Sequence, residues 1–155
     1  MRFRSATVSD LPALGALALA SKAHWGYSAR QLEQWRDDLT PHASWIGARP
    51  FVVAENDDGL IGFYTLEPGG DGICALDNLW IRPGLIGQGF GRRLFAHAAD
   101  RARALGATEM HIDAEPHAEP FYLSRGARRL GAVAAPIDGD PARVRPQLTL
   151  RLEPA

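Results

Sequence analysis

A mixed α/β (α+β) fold, with a mostly antiparallel central sheet flanked by about four helices, is predicted by three features of the chain. The runs FVVAE and LIGFYTLE are joined across Asn56, Asp57, Asp58 and Gly59, the pattern of a hairpin. Other runs, Thr108 to Ala114 and QLTLRL, alternate apolar and polar residues as half-buried strands do. Between them lie stretches with apolar residues at helical spacing, so strands, hairpins and helices are interleaved. At 155 residues the chain is expected to be a single domain, residues 1–155, with enough length for a real core.

Taken in order, Arg2 to Val8 reads as a strand and Ser9 to about Ala23 as an amphipathic helix carrying Leu11, Leu14, Leu17 and Ala18. The start MRFR…LPALGALALAS imitates a secretory signal. Ser9 and Asp10 interrupt it, and Pro12 sits where a helix tolerates proline, in its first turn. HWGY follows, and a second helix opens at Ser28 with Gln31 three residues on, a capping box. The hairpin comes next, then the turn PGGDG and a strand from about Ile73 to Ile81. A helix carrying Phe90, Leu94, Ala98, Ala102 and Leu105 is closed by Gly106. A short helix around Pro120 to Arg125 stops at Gly126. AAPIDGDPAR reads as a connecting loop, and the last 25 or so residues as closing strands.

The apolar fraction of 46% and charged fraction of 23% are ordinary for a globular protein, and the net charge of −1 supplies no basic field. Nucleic acid and acidic membrane are therefore not expected as partners. The single cysteine, Cys74, excludes an internal disulfide and a cysteine-rich zinc site, and no metal site is expected. It suits a reducing cytosol as a small buried hydrophobe, so a cytoplasmic location is the expectation.

The chemically informative stretch is IRPGLIGQGFGRRL, with glycines at 84, 87, 89 and 91 leading into a helix. Glycine is the residue costliest to order, so such a cluster implies positive φ or close backbone approach. Neither the dinucleotide pattern G-x-G-x-x-G nor the P-loop fits: the sixth place counted from Gly87 is Arg92, and no glycine precedes a lysine. What remains is a strand, Pro83, a glycine nest and a helix N-terminus, an arrangement in which free N–H groups face an anion. Arg92 and Arg93 sit where the helix dipole disfavours cations unless an anion compensates.

The segment LWIRPGLIGQGFGRRLF resembles the acyl-CoA-binding motif of the GNAT superfamily of N-acyltransferases, Q/R-x-x-G-x-G/A after a strand ending in V-x-P. Ile81, Pro83, Gly89 and Gly91 match, and Ile86 departs where the family has Gln or Arg. EPHAEPFYLSRGA is similar to the family's A-x-x-x-Y-x-x-x-G helix through Ala118, Tyr122 and Gly126, with Glu115 in place of Asn and Ala127 in place of Phe. The resemblance implies acetyl-CoA as acyl donor, with pyrophosphate over the backbone of Gly87, Gln88, Gly89, Phe90, Gly91 and Arg92. The pantetheine arm is then expected beside Leu79, Trp80 and Ile81, where unpaired N–H groups near Leu79 and Ile81 hold the arm and polarise the thioester carbonyl. A small-molecule or protein amine is the implied acceptor. A homodimer is compatible with the fold.

Transfer to an amine poses two proton problems. A lysine-like amine with a pKa of about 10.4 costs roughly 4.6 kcal/mol to supply as free base at pH 7. Asp77, on the strand approaching the thioester, is the first candidate to take its proton, and His24 is the rival, with Glu115 and His117 behind them. Tyr122 is the candidate to protonate the leaving thiolate, a transfer uphill by about 1.5 pKa units for an ordinary phenol. Trp25 and Tyr27 in HWGY are expected to wall the acceptor site, around a flat, partly apolar group or a cation on a π face. A non-catalytic acyl-CoA-binding module on the same fold remains open, since cofactor grip and turnover use different residues.

Overall fold

The computed structural model describes residues 1–154. The chain folds as two compact units: Met1–Leu66 with Asn78–Ala98, and Glu67–Asp77 with the chain from Ala99 onward. Among the described residues there are seven strands, β1 (Arg2–Ser5), β2 (Phe51–Asn56), β3 (Gly59–Pro68), β4 (Ile73–Ile81), β5 (Glu109–Asp113), β6 (Arg128–Ala134) and β7 (Val144–Arg151). The helices are α1 (Leu11–Ala23), α2 (Ala29–Leu39), α3 (Phe90–Ala104) and α4 (Glu119–Ser124). The sheet order is β1-β2-β3-β4-β5-β7-β6, in which β4 and β5 run parallel. This is the mixed, mostly antiparallel α+β architecture that the alternation and hairpin signals predict.

In the first unit, β1 is shorter than the apolar pattern suggests because Thr7 leaves the sheet to start a turn. Asp10 Oδ2 accepts from the Thr7 backbone N–H at 2.7 Å and from its hydroxyl at 3.1 Å, winding residues 8–10 into a 3-10 turn ahead of α1. Arg4 holds the same carboxylate with two nitrogens, each at 2.8 Å, and reaches Glu55 on β2 at 3.1 Å. The start of α1 is thereby tied to the β1–β2 pair. The apolar run that imitates a signal segment is core: Leu14, Leu17 and Ala18 of α1 are buried with Phe51, Val53 and Phe63. Ser28 caps α2, accepting from Gln31 N–H at 3.1 Å as its sequence predicts.

β2 and β3 form the expected antiparallel hairpin, with one irregularity. Ala54 faces Gly62 while Glu55 faces Leu60, so Ile61 is an extra residue and β3 bends there. A side chain on Gly62 would begin 2.2 Å from the carbonyl oxygen of Trp80, so only glycine lets that part of β4 lie so close to β3.

In the second unit, residues 73–76 of β4 pair with β5, whose Met110 and Ile112 are buried together with the following Ala114, as the alternation predicts. β7 pairs antiparallel with β5 on one side and β6 on the other. β6 is exposed along its whole length and ends the sheet. No helix among the described residues is long and apolar enough to cross a membrane.

The Arg4–Asp10 pair gives a pH-dependent stability. Hydrogen bonds from Arg4, against an opposing cost of burial, hold the Asp10 carboxyl down to about 2 from its ordinary 3.8. A depressed carboxylate pKa stabilises the fold above about pH 4, and that stabilisation is lost as pH falls through about 2. Asp10→Asn is expected to cost about 2 kcal/mol at pH 7. The deficit, read from urea unfolding midpoints, should shrink to a small fraction by pH 2. A deficit constant over that range would contradict the ion-pair origin.

Candidate active site

The glycine loop lies in the first unit. It leaves β4 at Arg82, whose N–H donates to Ile61 at 2.8 Å, and makes a 3-10 turn over residues 83–85. Pro83 fits the first position of that turn, where its missing N–H costs nothing. Gln88 folds its side-chain amide back onto the Gly84 carbonyl at 3.0 Å, closing the loop on itself. Gly87 and Gly89 have φ of 84° and 90°, in the left-handed region, and the space where a Cβ would stand is open at both. These glycines answer to backbone direction rather than crowding: they turn the chain so that α3 begins at Phe90.

Arg93 N–H bonds the Gly89 carbonyl at 3.4 Å, the first bond of the helix. The N–H groups of Phe90, Gly91 and Arg92 precede it and have no intrahelical acceptor. The first turn of α3 carries no acid, and Arg92 and Arg93 stand exposed there. Free donors, a positive dipole end and two guanidinium groups together favour an anion at this helix start. Ile86, at the position that departs from the motif, is half-buried.

Along residues 78–81 of β4, Leu79 is half-buried and Ile81 buried. The Trp80 indole N–H donates to Asn78 Oδ1 at 3.1 Å, and Asn78 donates to the buried Thr65 hydroxyl at 2.8 Å. Trp80 therefore commits its side chain to one face of the strand.

HWGY forms the exit of α1. The His24 N–H closes the helix on Ala20 at 3.1 Å, and its exposed ring lies edge-on to Trp25 at 4.9 Å. Gly26 has a φ of 90° and reverses the chain. Tyr27 meets Trp35 of α2 edge-to-face at 4.8 Å. Lys22 is only 8% exposed, and its ammonium stands 5.3 Å from the Tyr27 ring, 4.7 Å from Trp35 and 5.9 Å from Trp80. The π face expected to meet an acceptor cation thus already holds a cation of the chain itself. Lys22, Trp35 and Asn78 are absent from the sequence-based site: Trp35 reads as one more residue of an apolar helical stripe, and nothing in spacing joins it to Lys22 or Trp80.

The second unit carries Asp77, Glu115, His117 and Tyr122. Asp77 is exposed on β4, and its charge adds to burial in pushing the Cys74 thiol up, which keeps that cysteine neutral. Glu115 is 8% exposed at its side chain and bonds the His117 ring at 2.7 Å. Tyr122 is buried in α4 beside Phe121, with ring centroids 5.3 Å apart. Burial first, and the Glu115 charge second, push its phenol well above the ordinary range. It is firmly protonated at neutral pH, and giving up the proton costs more than for an ordinary phenol.

Residues 19–127 match the model of the acetyltransferase (GNAT) family, and the chain belongs to that family. No curated protein matches it. Solved structures share the fold. A GCN5-related N-acetyltransferase of Rhodopseudomonas palustris is 24% identical with a TM-score of 0.79, over 97% of this chain and 95% of that one. The PaiA N-acetyltransferase of Thermoplasma acidophilum, in complex with coenzyme A, is 20% identical with a TM-score of 0.73, over 97% and 98%. A ribosomal-protein-alanine N-acetyltransferase of Brucella melitensis is 19% identical with a TM-score of 0.70, over 98% and 100%.

The loop geometry yields a direct expectation. Gly89→Val places a β-branched residue at a φ of 90°, which it resists, so the start of α3 must rearrange. Acetyl-CoA affinity by calorimetry should fall at least tenfold, while circular dichroism stays near wild type. Unchanged affinity in the folded variant would contradict the assignment of the loop as the phosphate seat.

Proposed function

We propose that the chain is an N-acetyltransferase of the cytoplasm, a single acyltransferase domain that moves the acetyl group of acetyl-CoA to an amine of a small molecule or a protein. One observation carries this reading: the left-handed Gly87 and Gly89, which open the first-turn N–H groups of α3 to an anion. Family membership supports acyl-CoA as the donor.

Acetyl-CoA supplies the activated thioester. The backbone of residues 87–92 binds its pyrophosphate, and the guanidinium groups of Arg92 and Arg93 add charge. The main chain at Leu79 and Ile81 holds the pantetheine arm and presents N–H donors to the carbonyl oxygen. The ladder between β4 and β5 runs only from Ile73 to Leu76, so the main chain beyond it is left for this task. Tyr122 keeps a proton on its phenolic oxygen for the leaving sulfur, and burial together with the Glu115 charge makes that proton costlier to release than from an ordinary phenol. Asp77, or the exposed His24, takes the proton of the amine. Trp25 and Tyr27 wall the acceptor.

Release of free CoA thiol in the presence of a panel of amines, with mass spectrometry of the products, tests the activity. Acetylated amine is expected. Tight acetyl-CoA binding with no turnover on any amine would favour the alternative, a non-catalytic acyl-CoA-binding module. Tyr122→Phe removes only the hydroxyl. It should lower kcat tenfold or more and leave acetyl-CoA affinity within about twofold. Normal turnover would make Tyr122 a packing residue.

A further inference from the structure

Lys22 ends α1 at 8% exposure, and its ammonium stands among three aromatic rings. The rings come from three separate elements: Tyr27 from the turn after α1, Trp35 from α2 and Trp80 from β4. Each is held independently of the lysine. Tyr27 and Trp35 brace each other edge-to-face at 85°, and Trp80 is pinned through Asn78 to the buried Thr65. Rings that converge on one ammonium and are fixed by their own contacts make a preformed cation box.

We propose that Tyr27, Trp35 and Trp80 form such a box, and that Lys22 is a specificity-determining residue which fills it and so bars any cationic group of the acceptor from it. The specificity role rests on the acetyltransferase reading; the box does not. Tyr27 belongs to the segment assigned to the acceptor wall, and Trp80 sits on β4 between the two residues assigned to the acyl arm. On the acetyltransferase reading, an acceptor amine brought to that strand arrives on the element that carries Trp80, and its non-reacting end is taken to face the box. Because Lys22 already occupies the π faces and carries the same sign of charge, a second ammonium on the acceptor finds neither space nor field to hold it. Acceptors whose remaining groups are neutral or anionic meet no such barrier. Truncating Lys22 leaves the rings standing and opens a site for a small alkylammonium ion.

The test uses tetramethylammonium as the probe of the box and the pair n-butylamine and 1,4-diaminobutane as matched acceptors, with wild type, Lys22→Ala and Lys22→Met. Tetramethylammonium should perturb tryptophan fluorescence saturably in Lys22→Ala at a concentration at least tenfold below that needed for wild type. Lys22→Met keeps the box filled and should behave as wild type, and adding Trp35→Leu to Lys22→Ala should abolish the gain. The kcat/KM ratio of diamine to monoamine should rise at least tenfold in Lys22→Ala. Lys22→Ser reads the same quantities where Lys22→Ala fails to fold. A folded small-residue variant that binds no tetramethylammonium overturns the box. Binding with an unchanged diamine-to-monoamine ratio overturns the specificity role. Binding with no thiol release from any amine, in wild type or variant, overturns the acetyltransferase reading and the specificity role with it, while the box stands.

Discussion

Backbone amides are open to a ligand only where the chain leaves them without partners of its own, and the turn between Ile86 and Phe90 leaves the first amides of α3 without intrahelical acceptors. Two residues there, Gly87 and Gly89, lie in the left-handed region that side chains resist. With any other residue at those points the strand could not turn into α3 over so short a span. The orphan N–H groups of the first helical turn would then point elsewhere. Everything assigned to the site depends on this turn. The arginines that follow are mildly disfavoured at a helix N-terminus, by about 0.3–1 kcal/mol, and an anion there would offset that cost.

The strand leading into the loop is shaped by what lies on either side of it in sequence and in space. Gly62 lets the Trp80 carbonyl come within reach of β3, a contact that any Cβ would forbid. The Trp80 indole is drawn aside by Asn78. The consequence is a strand whose aromatic face is committed toward Lys22, which leaves the main chain for the acyl arm that we propose. Rigidity of this kind serves a transfer enzyme, because misplacing a reacting group by about 1 Å costs on the order of a hundredfold in rate.

Much of this was legible in the residues because it depends on local chemistry. Glycine spacing, Pro83 and the helix that follows are one continuous segment, and its geometry follows from φ preferences that sequence exposes directly. β5 left its mark as alternation because one of its faces is buried. β6 was foreseen only as part of a group of closing strands: it is exposed on both faces, so RRLGAVA carries no alternation to read. The first strand was read too long because Thr7 and Asp10, both compatible with a strand's end, instead wind a capped turn. The Lys22 box escaped for a different reason. Its members are distant in the chain, each with an ordinary local explanation, and only the tertiary fold brings the rings onto one ammonium. Tyr122 stands out in the sequence only by its motif position, and the rise in its pKa comes from burial and from Glu115, which a motif does not reveal.

The claim that the backbone at the start of α3 is the phosphate ligand is tested most directly by following its amide resonances during titration with coenzyme A and, separately, with pantetheine, which has no phosphate. Coenzyme A should move the amides of Gly87, Gln88, Gly89, Phe90, Gly91 and Arg92 more than any others, while pantetheine should leave them in place and move those of Leu79 and Ile81. Saturable binding of coenzyme A that leaves residues 87–92 unmoved would contradict it.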